Sequence, residues 1–413
     1  MHSRDPAEQR ARLSILSLLT ASSLSLVGSQ LTAVALPWFV LKATGSPFTT
    51  GIVASAVFLS RFVVGFVGGP MVDRLGYKRA GVWTDVLSAA GIALLPVLYH
   101  AFGFVLWELV LAVAFAAAPD ISGLTARRSL LLELARSSGL RLERVNGAYE
   151  SVQQLSLLLG APIGGALIAG FGAVNVFWID AFTFGASAAL IAAFVPATDG
   201  GAIAVRVGRY LADLSSGFRF LALDGPLRTL AGGVALSNLI GAGGIAIIYP
   251  VYARRVLDDP FSLGLMVGAL GGGSLVGSLL YGALGHRLPR RATVIVALST
   301  LPLAYWLFWL RPPFLIVVLV LVLVGLAGGV LNPLGVTVRQ ERIPKDLRGR
   351  VFSSFSAVVG STPALGALLT GLLVTRWGLS VGTLTLALAG QLLGLLLLLA
   401  PDLRELDRPR PSS

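Results

Sequence analysis

Between residues 69 and 79 the chain carries the sequence GPMVDRLGYKR, a short polar and basic segment between two long apolar runs. The run before it covers roughly residues 48–72, and the run after it covers roughly residues 80–99. Each run has the length of about 20 residues that a helix needs to cross a bilayer. The stretch therefore predicts two membrane-spanning helices joined by a tight basic turn.

The same alternation of apolar runs and short polar segments continues through all 413 residues, of which 55% are hydrophobic and 13% charged. A soluble domain is typically about a quarter charged, so the composition also favours a membrane protein. We predict an all-α membrane protein with twelve transmembrane helices in two pseudo-symmetric six-helix bundles. The predicted spans are roughly 13–40, 48–72, 80–99, 103–126, 146–170, 174–196, 227–253, 262–285, 292–310, 313–337, 351–375 and 380–400.

The basic residues predict the orientation of these helices. If the N-terminus is cytoplasmic, 26 of the 32 Lys and Arg residues fall in cytoplasmic segments and five fall on the opposite side. Short loops follow a positive-inside bias, so this split supports both the helix count and the orientation. We predict a multi-pass protein of the plasma membrane (the bacterial cytoplasmic membrane) with both termini cytoplasmic.

The longest hydrophilic stretch, residues 197–226, divides the chain into an N-terminal bundle (1–196) and a C-terminal bundle with a short cytoplasmic tail (227–413). Within the stretch, residues 205–223 place apolar side chains at helical spacing, which predicts an amphipathic helix on the cytoplasmic membrane surface. The two halves resemble weak repeats, since Phe171-Gly172 and Trp377-Gly378 close corresponding helices. Repeated six-helix units are a common way to build a transporter.

The segment 69–79, with Gly, then Asp-Arg four residues later, then Gly and basic residues, resembles the signature loop of the major facilitator superfamily. Residues 178–184 and 343–351 further resemble its drug and siderophore exporters. The resemblance covers the whole chain. It implies alternating access, proton-coupled efflux of small amphiphilic molecules, and a monomer in the lipid bilayer without a cofactor.

The resemblance also implies a conformational latch in the signature loop. A carboxylate at a helix C-terminus is disfavoured by the helix dipole, so Asp73 is expected to have a specific partner. In the superfamily this partner is the start of helix 11. The alternative is that the basic residues only anchor the topology. The predicted latch residues are Gly69, Asp73, Arg74, Gly76, Lys78 and Arg79.

The resemblance also implies a hinge at a glycine-rich stretch in helix 5, because helices 5 and 8 of the superfamily meet at the junction of the two halves. Exporters of the superfamily commonly have Gly-Pro-x-x-Gly-Gly here, whereas this chain has Ala161 at the proline position and Pro162 one place later. Small residues let helices pack closely, and helix 8 is also glycine-dense. The alternative to a hinge is simple packing. The predicted hinge residues are Gly160, Pro162, Gly164 and Gly165.

Ionisable residues at membrane depth are costly and mark functional sites by default. Arg61 lies about 18 Å deeper than Asp73 at the helical rise per residue. Helices 2 and 4 are neighbours in the superfamily, so the resemblance implies Glu108 and Asp120 as its available partners. Glu108 is the first choice for a proton carrier, and Asp85 is interpreted as a snorkelling or capping group. The predicted proton-coupling or buried charges are Arg61, Glu108, Asp120 and Asp180. The predicted substrate-cavity residues are Gln30, Gln153, Asn238, Tyr249 and Asn332.

Other classes of function have weaker support. The chain has no cysteine and three scattered histidines, so no metal site is predicted. It has no nucleotide-binding loop, which argues against an enzyme or an ATP-driven pump. The net charge of +12 follows the membrane topology, so no nucleic-acid partner is predicted. The remaining alternatives are a siderophore or other narrow-substrate exporter, an uptake carrier, and a non-transporting membrane sensor or assembly protein.

Overall fold

The computed structural model describes residues 6–137, 142–196 and 207–407, and these residues form helices and short connections without a strand. The first seven α-helices are α1 (Pro6–Thr44), α2 (Pro47–Leu75), α3 (Tyr77–Phe102), α4 (Leu106–Ala117), α5 (Asp120–Ser137), α6 (Leu142–Phe171) and α7 (Ala173–Phe194). The remaining α-helices are α8 (Val207–Leu223), α9 (Gly225–Gly243), α10 (Tyr249–Tyr252), α11 (Pro260–Leu284), α12 (Arg290–Leu310), α13 (Phe314–Gly329), α14 (Leu331–Arg342) and α15 (Arg348–Leu399).

Eleven helical segments of the described chain are long and apolar enough to cross a membrane. One of them, α15, has 52 residues and contains a non-helical residue at Gly378, where two helices meet. These two helices correspond to the predicted spans 351–375 and 380–400. The predicted fold class, with twelve transmembrane helices, is confirmed.

Three predicted helices are more irregular than expected. Predicted helix 4 consists of α4 and α5, because Pro119 separates them, and it continues to Ser137 instead of ending at residue 126. Predicted helix 10 consists of α13 and α14, with Val330 between them. Predicted helix 7 contains two π-helical turns, Gly244–Ile248 and Ala253–Leu257, on either side of α10.

Single glycines make three of the tightest connections between helices. Gly76 between α2 and α3 has φ +79°, and Gly172 between α6 and α7 has φ +80°. Gly378 has φ +82°. Only glycine adopts this backbone region without a steric penalty. Gly172 and Gly378 therefore give the same turn at corresponding points of the two predicted repeats.

The chain forms two compact units, and the first comprises Met1–Ala43 and Ala56–Ala204. Its core includes Leu18 of α1, Leu130 and Leu134 of α5, and Ile191 of α7, all at most 2% exposed. Many large apolar side chains on the outside of its helices are exposed, as expected for surfaces that face lipid.

The second unit comprises Thr44–Ser55 and Val205–Ser413. Its core includes Leu227 and Leu403, both fully buried, the latter in a 3₁₀ helix at Pro401–Asp407. The helix predicted on the membrane surface, α8, also packs into this unit. Leu221 is buried in the core, and the Ser354 hydroxyl donates to the Leu214 carbonyl at 2.9 Å.

Candidate functional site

An ion pair joins α2 to α5 inside the first unit. The Arg61 guanidinium donates to Asp120 Oδ2 from Nη2 at 2.6 Å and from Nε at 3.0 Å. The side chains are 39% and 21% exposed, so the pair is only partly enclosed. Pro119 ends α4 and leaves Asp120 in the first turn of α5, where the helix dipole favours a carboxylate. Of the two acids predicted within reach of Arg61, the structure brings Asp120 to it.

A second ion pair, between Asp85 of α3 and Arg127 of α5, lies deeper in the same unit. Their side chains are 2% and 5% exposed. Ser187 of α7 donates to Asp85 Oδ2 at 2.6 Å, and Arg127 Nη2 donates to the Ser25 hydroxyl of α1 at 2.9 Å. The cluster links four helices, so the interpretation of Asp85 as a snorkelling or capping group is wrong.

The sequence does not predict this cluster if helix 4 is taken to end at residue 126, because Arg127 then falls in a cytoplasmic loop. With α5 continuing to Ser137, Arg127 lies ten residues from the end of its helix. Asp85 lies eight residues from the start of α3 at Tyr77. At a rise of about 1.5 Å per residue, Arg127 lies about as far from the end of α5 as Asp85 lies from the start of α3. A correct helix length would have revealed the pair.

Asp180 of α7 is fully buried. One carboxyl oxygen hydrogen-bonds the Thr32 hydroxyl of α1, and the other accepts from the Thr183 hydroxyl at 3.2 Å. It makes no ion pair with a residue in the described part of the chain. Gly28 of α1 faces this carboxyl group, and any side chain there would collide with it. Asp180 is therefore a hydrogen-bonded link between α1 and α7.

Glu108 lies elsewhere, in the first turn of α4. It lines a cleft that also includes Phe39 and Tyr99, at the opposite end of α4 from Asp120. The structure does not bring it to Arg61.

The predicted cavity residues occupy different environments. In the first unit, Gln30 is half-buried, and Gln153 accepts from Arg128 Nη2 at 3.0 Å. In the second unit, Asn238 Nδ2 donates to the Val359 carbonyl at 3.3 Å. Tyr249 is 1% exposed. Asn332, in the first turn of α14, is exposed.

The predicted latch residues lie at the junction of α2 and α3. Gly69 and Asp73 belong to α2, but their side chains lie outside the described part of the structure. Arg74 and Arg79 are exposed. Lys78 Nζ donates to the Ala192 carbonyl at 2.9 Å, which ties α3 to α7.

The predicted hinge glycines approach α1 in the first unit. A methyl group at Gly160 would lie 2.6 Å from Gln30 Cβ, and one at Gly164 would lie 3.2 Å from Leu31 Cα. Pro162 stands inside α6 between them, and Gly165 is buried. These glycines allow α1 and α6 to pack closely.

The glycines of predicted helix 8 serve a different interface. In the second unit, Gly273 and Gly277 of α11 face the Val322 and Leu326 carbonyls of α13. Gly325 of α13 in turn faces the Leu270 carbonyl of α11. Reciprocal small residues let two membrane helices meet at their backbones. These glycines pack α11 on α13.

Residues 18–233 and 231–413 match the family model of the Major Facilitator Superfamily. Over 396 residues, covering 94% of both chains, the sequence is 35% identical to the multidrug efflux pump Tap of Mycobacterium tuberculosis. It is 26% identical to the enterobactin exporter EntS of Citrobacter koseri over 414 residues, covering 95% of this chain and 92% of the exporter. The crystal structure of the nucleoside transporter NupG has a TM-score of 0.76 at 13% identity, covering 93% of this chain and 98% of that one.

Proposed function

This chain belongs to the major facilitator superfamily, and from that premise we propose that it exports small amphiphilic molecules in exchange for protons. The observation that carries the proposal is the 35% identity to a multidrug efflux pump over 94% of both chains. Similarity of this extent covers the whole transport unit and is not limited to a shared fold. The transporter would work as a monomer in the cytoplasmic membrane, with both termini inside.

For coupling to protons, the arrangement of Arg61 and Asp120 offers a direct chemical route. A guanidinium group remains charged in proteins, whereas a carboxylate can accept a proton. Protonation of Asp120 would remove its attraction for Arg61 and leave the guanidinium available to another anion or to water. The partial exposure of both side chains gives a proton access to the pair.

The other predicted acids are less suited to this step. Asp180 is fully buried and bonded to hydroxyl groups, so we propose a structural role for it. Glu108 lies in the first turn of α4. We therefore place the coupling step at Arg61 and Asp120.

Two further parts of the proposal concern the substrate and the conformational change. The substrate would be amphiphilic and would be held mainly by apolar contacts. The candidates for hydrogen bonds to it are Gln30, Gln153, Asn238, Tyr249 and Asn332.

The conformational change would involve two six-helix bundles, divided by the linker 197–226, that expose the substrate alternately to either side. Asp73 would hold one state as a latch, and Gly160, Pro162, Gly164 and Gly165 would allow movement of α6.

A siderophore exporter is the second candidate, because the enterobactin exporter EntS is similar over 95% of this chain. An uptake carrier and a non-transporting sensor have no observation of this kind in their favour. Drug efflux is preferred because the identity to the drug pump is higher.

The test is transport into inverted membrane vesicles energised by respiration, using cationic dyes, antibiotics and iron chelators, with and without a protonophore. Accumulation that collapses with the protonophore is expected for proton-coupled export. The test variant is Asp120→Asn, which should insert normally but lose the protonophore-sensitive component. Uptake of chelators alone would favour the siderophore exporter, and accumulation unchanged by the protonophore would contradict proton coupling.

A further inference from the structure

A cleft lies between the end of α1, the end of α3 and the start of α4, all within the first unit. It is open at its mouth, and its interior has a cavity volume of about 10 Å³, which is room for one group the size of a water molecule or an ammonium. Its walls include Phe39, Leu95, Tyr99 and Phe104, and one carboxylate, Glu108, lines it. Nothing in the proposed transport step uses this cleft.

Glu108, which lines this cleft, has an oxygen without a hydrogen-bond partner. Oε2 is buried, yet it accepts no hydrogen bond from any residue that the structure describes. A buried acceptor left without a donor destabilises a protein, and more so when the group is charged. Glu108 Oε2 therefore lacks a hydrogen-bond donor that a ligand could supply.

Within the described part of the chain, Glu108 also has no cationic partner. The sequence contains no Lys or Arg between Arg79 and Arg127, so α3 beyond its first turn and all of α4 carry no permanent cation. On α1, Lys42 is exposed, and Glu108 makes no ion pair within the described part of the chain. His100 of α3 is exposed, and its Nδ1 lies 2.6 Å from the Pro96 carbonyl oxygen. A cation that donates hydrogen bonds would supply both missing features.

The aromatic walls favour the same kind of ligand. The Phe39 and Tyr99 rings meet edge to face with centroids 5.0 Å apart, and the Phe104 ring lies 6.2 Å from Phe39. Aromatic faces attract cations through the ring quadrupole, and the attraction increases where water is excluded. Phe39 is 6% exposed and Tyr99 is 37% exposed, so the cleft is dry at its base and open at its mouth.

We propose that this cleft binds a primary ammonium group, with an N–H donated to Glu108 Oε2 and the positive charge against the rings of Phe39, Tyr99 and Phe104. A quaternary ammonium has no N–H to donate, and a neutral alcohol has no charge. The predicted topology places the cleft on the non-cytoplasmic side of the membrane. There the ammonium can come from a phosphatidylethanolamine headgroup or from a soluble amine.

The first experiment measures the thermal unfolding midpoint of the purified full chain in neutral detergent, with propylammonium chloride added at constant ionic strength. We expect a saturable rise that trimethylpropylammonium and 1-propanol do not produce. Glu108→Gln should weaken the apparent affinity by at least about tenfold, since a charged hydrogen bond is lost. Glu150→Gln, which removes an exposed carboxylate outside the cleft, is the matched control and should behave like the wild type.

The second experiment distinguishes the two sources. The chain is placed in nanodiscs containing phosphatidylglycerol with either phosphatidylethanolamine or phosphatidylcholine. A higher unfolding midpoint with phosphatidylethanolamine, lost in Glu108→Gln, assigns the site to a lipid headgroup. A response to propylammonium without a lipid preference assigns it to a soluble amine.

Two further variants keep the test decisive if Glu108→Gln does not fold. Tyr99→Leu removes a ring and should weaken binding, whereas Phe102→Leu removes an exposed ring outside the cleft and should not. The proposal is overturned if the trimethylated analogue or 1-propanol stabilises the chain equally. It is also overturned if neither ammonium source has an effect, or if the variants respond like the wild type. Because the readout is binding, none of these outcomes depends on transport.

Discussion

Arg61 of α2 and Asp120 of α5 form an ion pair, with Nη2 2.6 Å from Oδ2. The pair depends on the break at Pro119, since the acid opens a new helix there. Next to it, the Ser60 hydroxyl donates to the Ala114 carbonyl at 2.6 Å, which holds α2 against α4. This contact lies next to the ion pair and fixes α2 beside α4, although the side chains of the pair remain partly exposed.

Removing either charge of this pair should stop proton-driven transport without unfolding the protein. We expect Asp120→Asn and Arg61→Gln each to lower protonophore-sensitive accumulation in inverted vesicles by at least about tenfold, equivalent to about 1.4 kcal/mol in the coupled step. Because the pair is partly exposed, its loss should change thermal stability by no more than about 1 kcal/mol. The double variant Arg61→Asp/Asp120→Arg tests whether the pair itself matters. Full transport in both single variants would contradict the assignment.

The buried pair of Asp85 and Arg127 should be important for stability. Asp85→Asn leaves the Arg127 guanidinium buried without its counter-ion, which typically costs about 3–5 kcal/mol. The expected result is a markedly lower unfolding midpoint and less monodisperse protein after extraction in detergent.

The neighbouring Arg128 provides a matched control for this prediction. It pairs with Glu150 at 3.1 Å, and both side chains are more than half exposed. Glu150→Gln should therefore change stability by less than about 1 kcal/mol. The double variant Asp85→Leu/Arg127→Met, which removes both buried charges, should be more stable than Asp85→Asn. Equal stability of Asp85→Asn and the wild type would show that the pair is not needed.

The sequence was sufficient to predict the architecture, because hydropathy and basic loops are direct consequences of the bilayer. The count of twelve helices and the turn at Gly378 follow from that constraint alone. The partners of the buried charges needed more information. The predicted end of helix 4, at 126 instead of Ser137, is eleven residues too early, which placed Arg127 in a loop and left Asp85 without its partner.

The glycine-rich helices illustrate a second limit. Sequence showed that α6 and α11 carry small residues for close packing, but not which helix each one faces. The structure sets Gly160 against α1, and Gly273 against α13. Helix neighbours depend on the tertiary arrangement, and a stripe of small residues is compatible with several partners. The same applies to Glu108, whose aromatic neighbours come from α1, α3 and the connection between α3 and α4.

Asp73→Asn should reduce transport while leaving membrane insertion intact, if the latch proposal is correct. The substitution keeps the size of the side chain and removes its charge, so the amount of protein in the membrane fraction should not change. Asp346→Asn, in an exposed polar loop, is the control and should transport normally. Unchanged transport by Asp73→Asn would remove the latch argument.

Substitution of Gly273 should separate α11 from α13 and destabilise the second unit. A side chain at this position would collide with the Val322 carbonyl, which is backbone and cannot rotate away. Overpacking of this kind typically costs about 1–3 kcal/mol. Gly273→Val should therefore lower the unfolding midpoint, whereas Gly282→Val, on the same helix with nothing within 4 Å, should not. Comparing the two removes the general effect of valine on the helix. Equal midpoints would mean that α11 and α13 can move apart freely, and the glycines would then have no packing role.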